Sequence, residues 1–162
     1  MPTLLITGGK IYVNEQGDGL DSNGNILVEG GFVVVDGPSL SGNGALDAGT
    51  EIGGVCEIHG GVVLAIGSRG MAETFGSSST QVSFEYSFDR DIAAGSELTV
   101  TTSDGFVLIR HTSAKTFSSV VFSCPALELG ETVTLTAGGQ SAEIALDAVS
   151  TQSGNSRGWS RW

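Results

Sequence analysis

The chain has 162 residues, 25 of them glycine and 3 proline, and 18 acids against 7 bases give a formal net charge of −11. Glycine at about 15%, roughly twice the ~7% of ordinary proteins and without a G-X-Y period, excludes collagen and argues against a fold dominated by helix interiors. The acid excess argues against a general affinity for nucleic acid or for an anionic membrane, both of which draw on Lys and Arg.

The opening MPTLLITGGK lacks the basic region and long apolar run of a signal peptide, and no window approaches the ~20 apolar residues of a membrane span. Two readings follow: the numbering begins after a removed or unrecovered segment, or the chain leaves the cell another way. The residues from here to about 76 repeat imperfectly. Ile6-Thr-Gly8-Gly9-Lys-Ile-Tyr-Val13, Val28-Glu-Gly30-Gly31-Phe-Val-Val-Val35 and Ile58-His-Gly60-Gly61-Val-Val-Leu-Ala65 share one pattern, with glycine pairs 22 and then 30 residues apart. That period suits stacked rungs of a solenoid, with Gly supplying unusual dihedrals at the corners.

A second repeat lies between these strands, where Gly19-Leu20-Asp21 is echoed by Ala45-Leu46-Asp47. In a parallel β-helix, Asp21 and Asp47 would sit one above the other at the ~4.8 Å strand spacing. Around the first copy, Gly17-Asp-Gly-Leu-Asp-Ser-Asn-Gly-Asn25 clusters carboxylate and amide oxygens at Asp18, Asp21, Asn23 and Asn25, and the next rung adds Asn43 and Asp47. Such a donor set suits a hard cation such as Ca²⁺, which would also relieve repulsion between stacked acids. The alternative is that these residues only form corners, since Asp, Asn and Gly are the common turn residues. The motif lacks the spacing of a twelve-residue calcium loop.

Beyond residue 76 the pattern changes. Gly76-Ser-Ser-Ser-Thr80 reads as a linker at 77–80, and Gln81–Phe88 then alternates, with Val82, Phe84, Tyr86 and Phe88 on one face and Gln81, Ser83, Glu85 and Ser87 on the other. This predicts an antiparallel strand with one solvated face. Further strands are expected over Leu98–Thr102, Phe106–His111, Ser118–Phe122, Thr132–Ala137 and Glu143–Leu146, with hairpin turns at Ser103-Asp104-Gly105 and Gly138-Gly139. The expected fold is all-β: a short right-handed parallel β-helix over 1–76, a small antiparallel sandwich-like module over 81–148 that caps it, and a tail over 149–162.

Cys56 and Cys124 are far from any close metal-ligand spacing. They read either as two buried apolar residues or as a disulfide closing about 68 residues, which would contribute on the order of 4 kcal/mol and need an oxidising compartment. His59 and His111 read as outward polar positions. A polysaccharide lyase would need a base beside a cation, and Lys10 and Arg69 are the candidates in the first half. Both read more simply as surface bases, so no enzyme is expected. Trp159 and Trp162 could stack on sugar rings, but packing onto a neighbouring surface is the simpler role.

The stretches GDGLDSNGNILVEGGFVVVDGP, GNGALD, IHGGVVLAIGSRGMAE, SSSTQ and SCPALELGETVTLTAGG, spread over roughly residues 7–139, resemble the bacterial carbohydrate-binding domain-containing family, secreted right-handed parallel β-helix proteins related to pectate lyases. The resemblance implies non-catalytic binding of cell-wall polysaccharide, including acidic sugars such as polygalacturonate, at the cell surface or outside it. It also implies calcium held by Asp18, Asp21 and Asp47, with Asn23 and Asn43. Cys124 stands where the family pattern looks Ser-like, and Cys56 is not a family feature. Members carry many rungs before this portion, whereas this chain has about three. An uncovered rung exposes backbone donors and apolar side chains, so a second expectation is a structural protein whose identical chains stack end to end into a filament or surface layer.

Overall fold

The computed structural model describes residues 1–155, and the Trp159 and Trp162 readings lie outside them. Among the described residues there is no α-helix, only two 3₁₀ turns at Thr50–Ile52 and Arg69–Met71, so the fold is all-β.

The first half is a parallel stack. Strand β1 (Thr3–Asn14) pairs in parallel with β3 (Asn25–Asp36), which pairs in turn with β5 (Cys56–Ile58) and β6 (Val62–Gly67). Between them, β2 (Leu20–Ser22) and β4 (Leu46–Ala48) form a small parallel sheet of their own, with Asp21 opposite Asp47 as the repeat predicts. β1 and β3 each contain a glycine pair, and the third pair, Gly60-Gly61, lies between β5 and β6. The second glycine of each, Gly9, Gly31 and Gly61, has a positive φ of 88°, 97° and 87°. In the second and third pairs the first glycine is excluded from bearing a Cβ by the layer before it: a Cβ on Gly30 would lie 2.6 Å from the Thr7 carbonyl oxygen, and one on Gly60 2.5 Å from that of Glu29. Inside the stack, Ile26, Val28, Val33, Val35, Leu46, Ile58 and Val63 form one buried core.

The sheet does not stop at the end of this stack. β10 (Phe117–Ser123) pairs antiparallel with β6 and with β7 (Ser83–Ile92), and β13 (Ser150–Gly154) pairs in parallel with β7. The result is a seven-stranded mixed sheet in the order β1-β3-β6-β10-β7-β13 with β5 beside β3. The serine segment between the halves is fixed to it, because Ser79 Oγ accepts the Ile58 N–H at 3.1 Å and Thr80 donates its N–H to the Ile58 carbonyl at 3.1 Å.

The remaining strands, β8 (Glu97–Thr101), β9 (Val107–Thr112), β11 (Thr132–Ala137) and β12 (Gln140–Ala145), form an antiparallel sheet in the order β12-β11-β8-β9. Gly105, Gly138 and Gly139 at its hairpins have positive φ, as the turn signals require. This sheet packs on the large one through a second core that joins Leu98, Val100, Val133 and Leu135 to Phe84, Phe122, Leu64 and Ile66. Alternate residues of β6 therefore face opposite cores: Val63 and Ala65 the parallel stack, Leu64 and Ile66 the sandwich.

Two expectations fail in this half. The polar face of β7 is not solvated: Ser83, Glu85 and Ser87 are 0%, 2% and 3% exposed, because the sheet is covered on both sides here. The segment expected as a tail contains β13, whose polar sequence Ser-Thr-Gln-Ser-Gly carries no apolar alternation.

Candidate functional site

The acidic corner is built by the turns that flank β2 and β4. Asp18 Oδ1 accepts the Gly44 N–H at 2.9 Å, tying one turn to the next, and Asn43 Nδ2 donates to the Gln16 carbonyl at 3.4 Å. Asn23 and Asp21 are exposed, and Asp47 is half-buried. Burial, with the charges of Asp18, Asp21 and Glu51 around it, raises the Asp47 carboxyl above its ordinary range. The layer beyond Asp47 adds Glu73, which sequence reasoning missed. Its Oε2 accepts the Ala48 N–H at 2.8 Å, while its Oε1 and the neighbouring Thr74 Oγ1 are buried without a partner. The signal for it was a third echo, Met71-Ala72-Glu73, after Gly19-Leu20-Asp21 and Ala45-Leu46-Asp47.

Among the described residues no three His, Cys, Asp or Glu side chains are arranged to hold a metal. Asp18 uses one carboxylate oxygen, and Asn43 its amide nitrogen, on the backbone of the turns. The structure brings Asp21 and Asp47 opposite each other in register and leaves Asn23 exposed beyond β2.

The cysteines are not joined. Cys56 and Cys124 are both free and buried, Cys56 in the core of the parallel stack and Cys124 in the sandwich core. Burial pushes both thiols up, helped at Cys56 by the charges of Glu73 and Glu57 and opposed at Cys124 by the N–H groups of Ala126 and Leu127.

A polar cluster that the sequence did not reveal lies where β9 meets the outer face of the parallel strands. Asp36, at the end of an apolar run in β3, is buried. Its carboxylate accepts Tyr12 OH at 2.6 Å and the Ala114 N–H at 3.2 Å, and it pairs with His111 Nε2 at 3.0 Å. Burial pushes the Asp36 carboxyl up, but the hydrogen bonds from His111, Tyr12 and Ala114 outweigh it and hold the group below the usual carboxylate range. The same bond, with burial and the Asp36 charge, pushes the Tyr12 hydroxyl up to about 12. His111 is thus a docking residue, not an outward one. His59 does stay at the surface, between Glu57 and Thr80 at 3.0 Å each.

Beside this cluster the outer face of β1 and β3 carries a shallow recess of about 270 Å³ lined by Lys10, Ile11, Tyr12, Phe32 and Val34. Register places Lys10 opposite Phe32 and Tyr12 opposite Val34. Tyr12 is 58% exposed and Phe32 40%. Arg69, the other base of this half, is committed elsewhere: its guanidinium donates to the Phe88 carbonyl and its N–H to Ser118 Oγ at 2.9 Å. Comparison with protein-family models, curated proteins and solved structures finds no match to this chain.

Proposed function

We propose that the first half is a short right-handed parallel β-helix of about three rungs and that the protein is a non-catalytic polysaccharide-binding module at the cell surface or outside the cell. One observation carries this reading: β1 and β3 lie in parallel register with Lys10, Tyr12 and Phe32 exposed together on their outer face, next to the part of the stack that the antiparallel sheet covers. The resemblance of its glycine and Leu-Asp segments to carbohydrate-binding β-helix proteins supports it. Among the described residues no three acidic, His or Cys side chains are grouped to hold a metal, so the reading rests on the outer face and not on calcium. The test is retention of the full chain on immobilised polygalacturonate and on a neutral glucan, with and without a chelator. Retention that survives the chelator is expected, and no retention on either polymer overturns the reading.

A second reading, end-to-end assembly, is favoured by the outermost layer. Gly30 and Gly60 are each pressed against the carbonyl of the preceding pass, yet Gly8, the same position in β1, has nothing within 4 Å of a Cβ. The inward residues of this layer are also more open, with Ile6 6% and Leu20 7% exposed while Val28 is fully buried and Leu46 is 1% exposed. A further parallel strand from another chain would occupy that edge. Sedimentation of the purified protein checks it: assembly gives species larger than 16.5 kDa that grow with concentration, and a monomer at all concentrations removes it.

A further inference from the structure

We infer that the recess formed by Lys10, Tyr12 and Phe32 on the outer face of β1 and β3 is a subsite for one uronic-acid ring of a polysaccharide, an inference that rests on the polysaccharide-binding reading above. The recess joins two exposed aromatic rings on adjacent strands, about the diagonal separation at which both reach one ligand. The C–H face of a pyranose is an apolar surface that stacks on such rings. Tyr12 suits this role because its hydroxyl is fixed by Asp36, so no ring orientation has to be ordered on binding.

Charge selects an acidic sugar over a neutral one. In a chain of net charge −11, β1 from Thr3 to Asn14 contains no acid and one base. That base, Lys10, forms none of the ion pairs found among the described residues, and it lines the recess beside the rings. The carboxylate bonded to Tyr12, that of Asp36, is buried and also accepts from His111 and Ala114, which limits its repulsion of an incoming anion. A uronate stacked on Tyr12 or Phe32 therefore has an unpaired ammonium within reach of its carboxylate, without a bridging metal.

The experiment measures retention of the full-length wild-type chain and its variants on polygalacturonate and on a neutral glucan, at low and high salt. Tyr12→Ala and Phe32→Ala are expected to lose about tenfold in affinity for polygalacturonate. Lys10→Gln is expected to lose up to about fivefold at low salt, with little loss at high salt and none on the neutral polymer. Phe32 makes no side-chain hydrogen bond, so Phe32→Ala keeps the test open if Tyr12→Ala fails to fold. Wild-type retention that none of the three variants changes overturns the subsite and leaves polysaccharide binding standing. Equal loss by Lys10→Gln on both polymers overturns the uronate assignment, and no retention of the wild type on either polymer overturns the reading beneath it.

Discussion

The parallel half and the antiparallel half share one sheet but reach order by different means. In the parallel stack, backbone meets backbone at the glycine corners, and a single apolar column fills the space within. In the antiparallel extension, side chains do this work: Phe84 and Phe122 meet edge to face, with ring centroids 5.9 Å apart, on the sandwich side. On the other side Glu85 accepts hydrogen bonds from Ser87 at 2.6 Å and Ser119 at 2.9 Å. The first half leaves no room for an added atom at Gly30 and Gly60; the second carries a buried carboxyl with hydroxyl partners alone. One architecture is limited by sterics and the other by desolvation.

The largest test of that contrast uses equivalent glycines. Gly60→Ala places a Cβ 2.5 Å from a backbone oxygen that cannot move without disturbing the preceding pass. A loss of about 2–3 kcal/mol is expected in chemical denaturation, as for overpacked interiors. Gly8→Ala occupies the same place in the repeat but meets open space, and its φ is not left-handed. Here a change within about 1 kcal/mol of zero is expected, with a gain from reduced unfolded-state entropy. Equal losses in a monomeric sample would break the steric account. Equal losses only in an assembled sample would show that another strand covers β1.

Next come two buried carboxyls whose pH responses have opposite sign. Asp36 is held below its ordinary range, so its stabilisation is present above pH ~4 and is lost as the pH falls through its folded pKa. Asp36→Asn is expected to cost about 2 kcal/mol at pH 7, and the gap to wild type should close in acid. Glu85 is raised by burial against the hydrogen bonds of Ser87 and Ser119. Its contribution is therefore complete below pH ~4.3 and is lost as the pH rises toward its folded pKa. Glu85→Gln should gain on the order of 1 kcal/mol at pH 7 and nothing in acid. Denaturation midpoints of both variants at pH 3 and pH 7 check the pair, and parallel pH curves for the two would remove the distinction.

Legibility from sequence followed the same divide. The corners could be read because Gly8-Gly9, Gly30-Gly31 and Gly60-Gly61 recur at short range, and the Leu-Asp echo placed Asp21 against Asp47 for the same reason. In the antiparallel half, alternation showed which residues of β7 share a face, but not what covers it, so Ser83 and Glu85 read as solvated. The Asp36 and His111 pair, 75 residues apart, left no local trace, because only tertiary packing brings β9 onto the parallel strands. β13 was hidden by its polar composition: it is defined by backbone pairing with β7, which no side-chain period encodes.

The smallest expected effect concerns the cysteines, and it tests whether the two cores are as separate as the sheet between them implies. Cys56 lies in the core with Val63 and Ala65, and Cys124 in the core with Leu64 and Ile66, on the opposite side of β6. A disulfide requires Cα atoms about 4.4–6.8 Å apart with side chains directed at each other, a geometry that residues in separate cores do not supply. A bond closing about 68 residues would contribute on the order of 4 kcal/mol, equivalent to roughly 10 °C in a domain of this size. Addition of a reductant is therefore expected to leave the melting temperature unchanged. Two thiols should be found on denaturation and none reacting quickly in the native protein, since burial raises both pKa values. A reductant-dependent fall of several degrees would mean that the cores communicate around the sheet, and the division between a parallel stack and a sandwich would have to be redrawn.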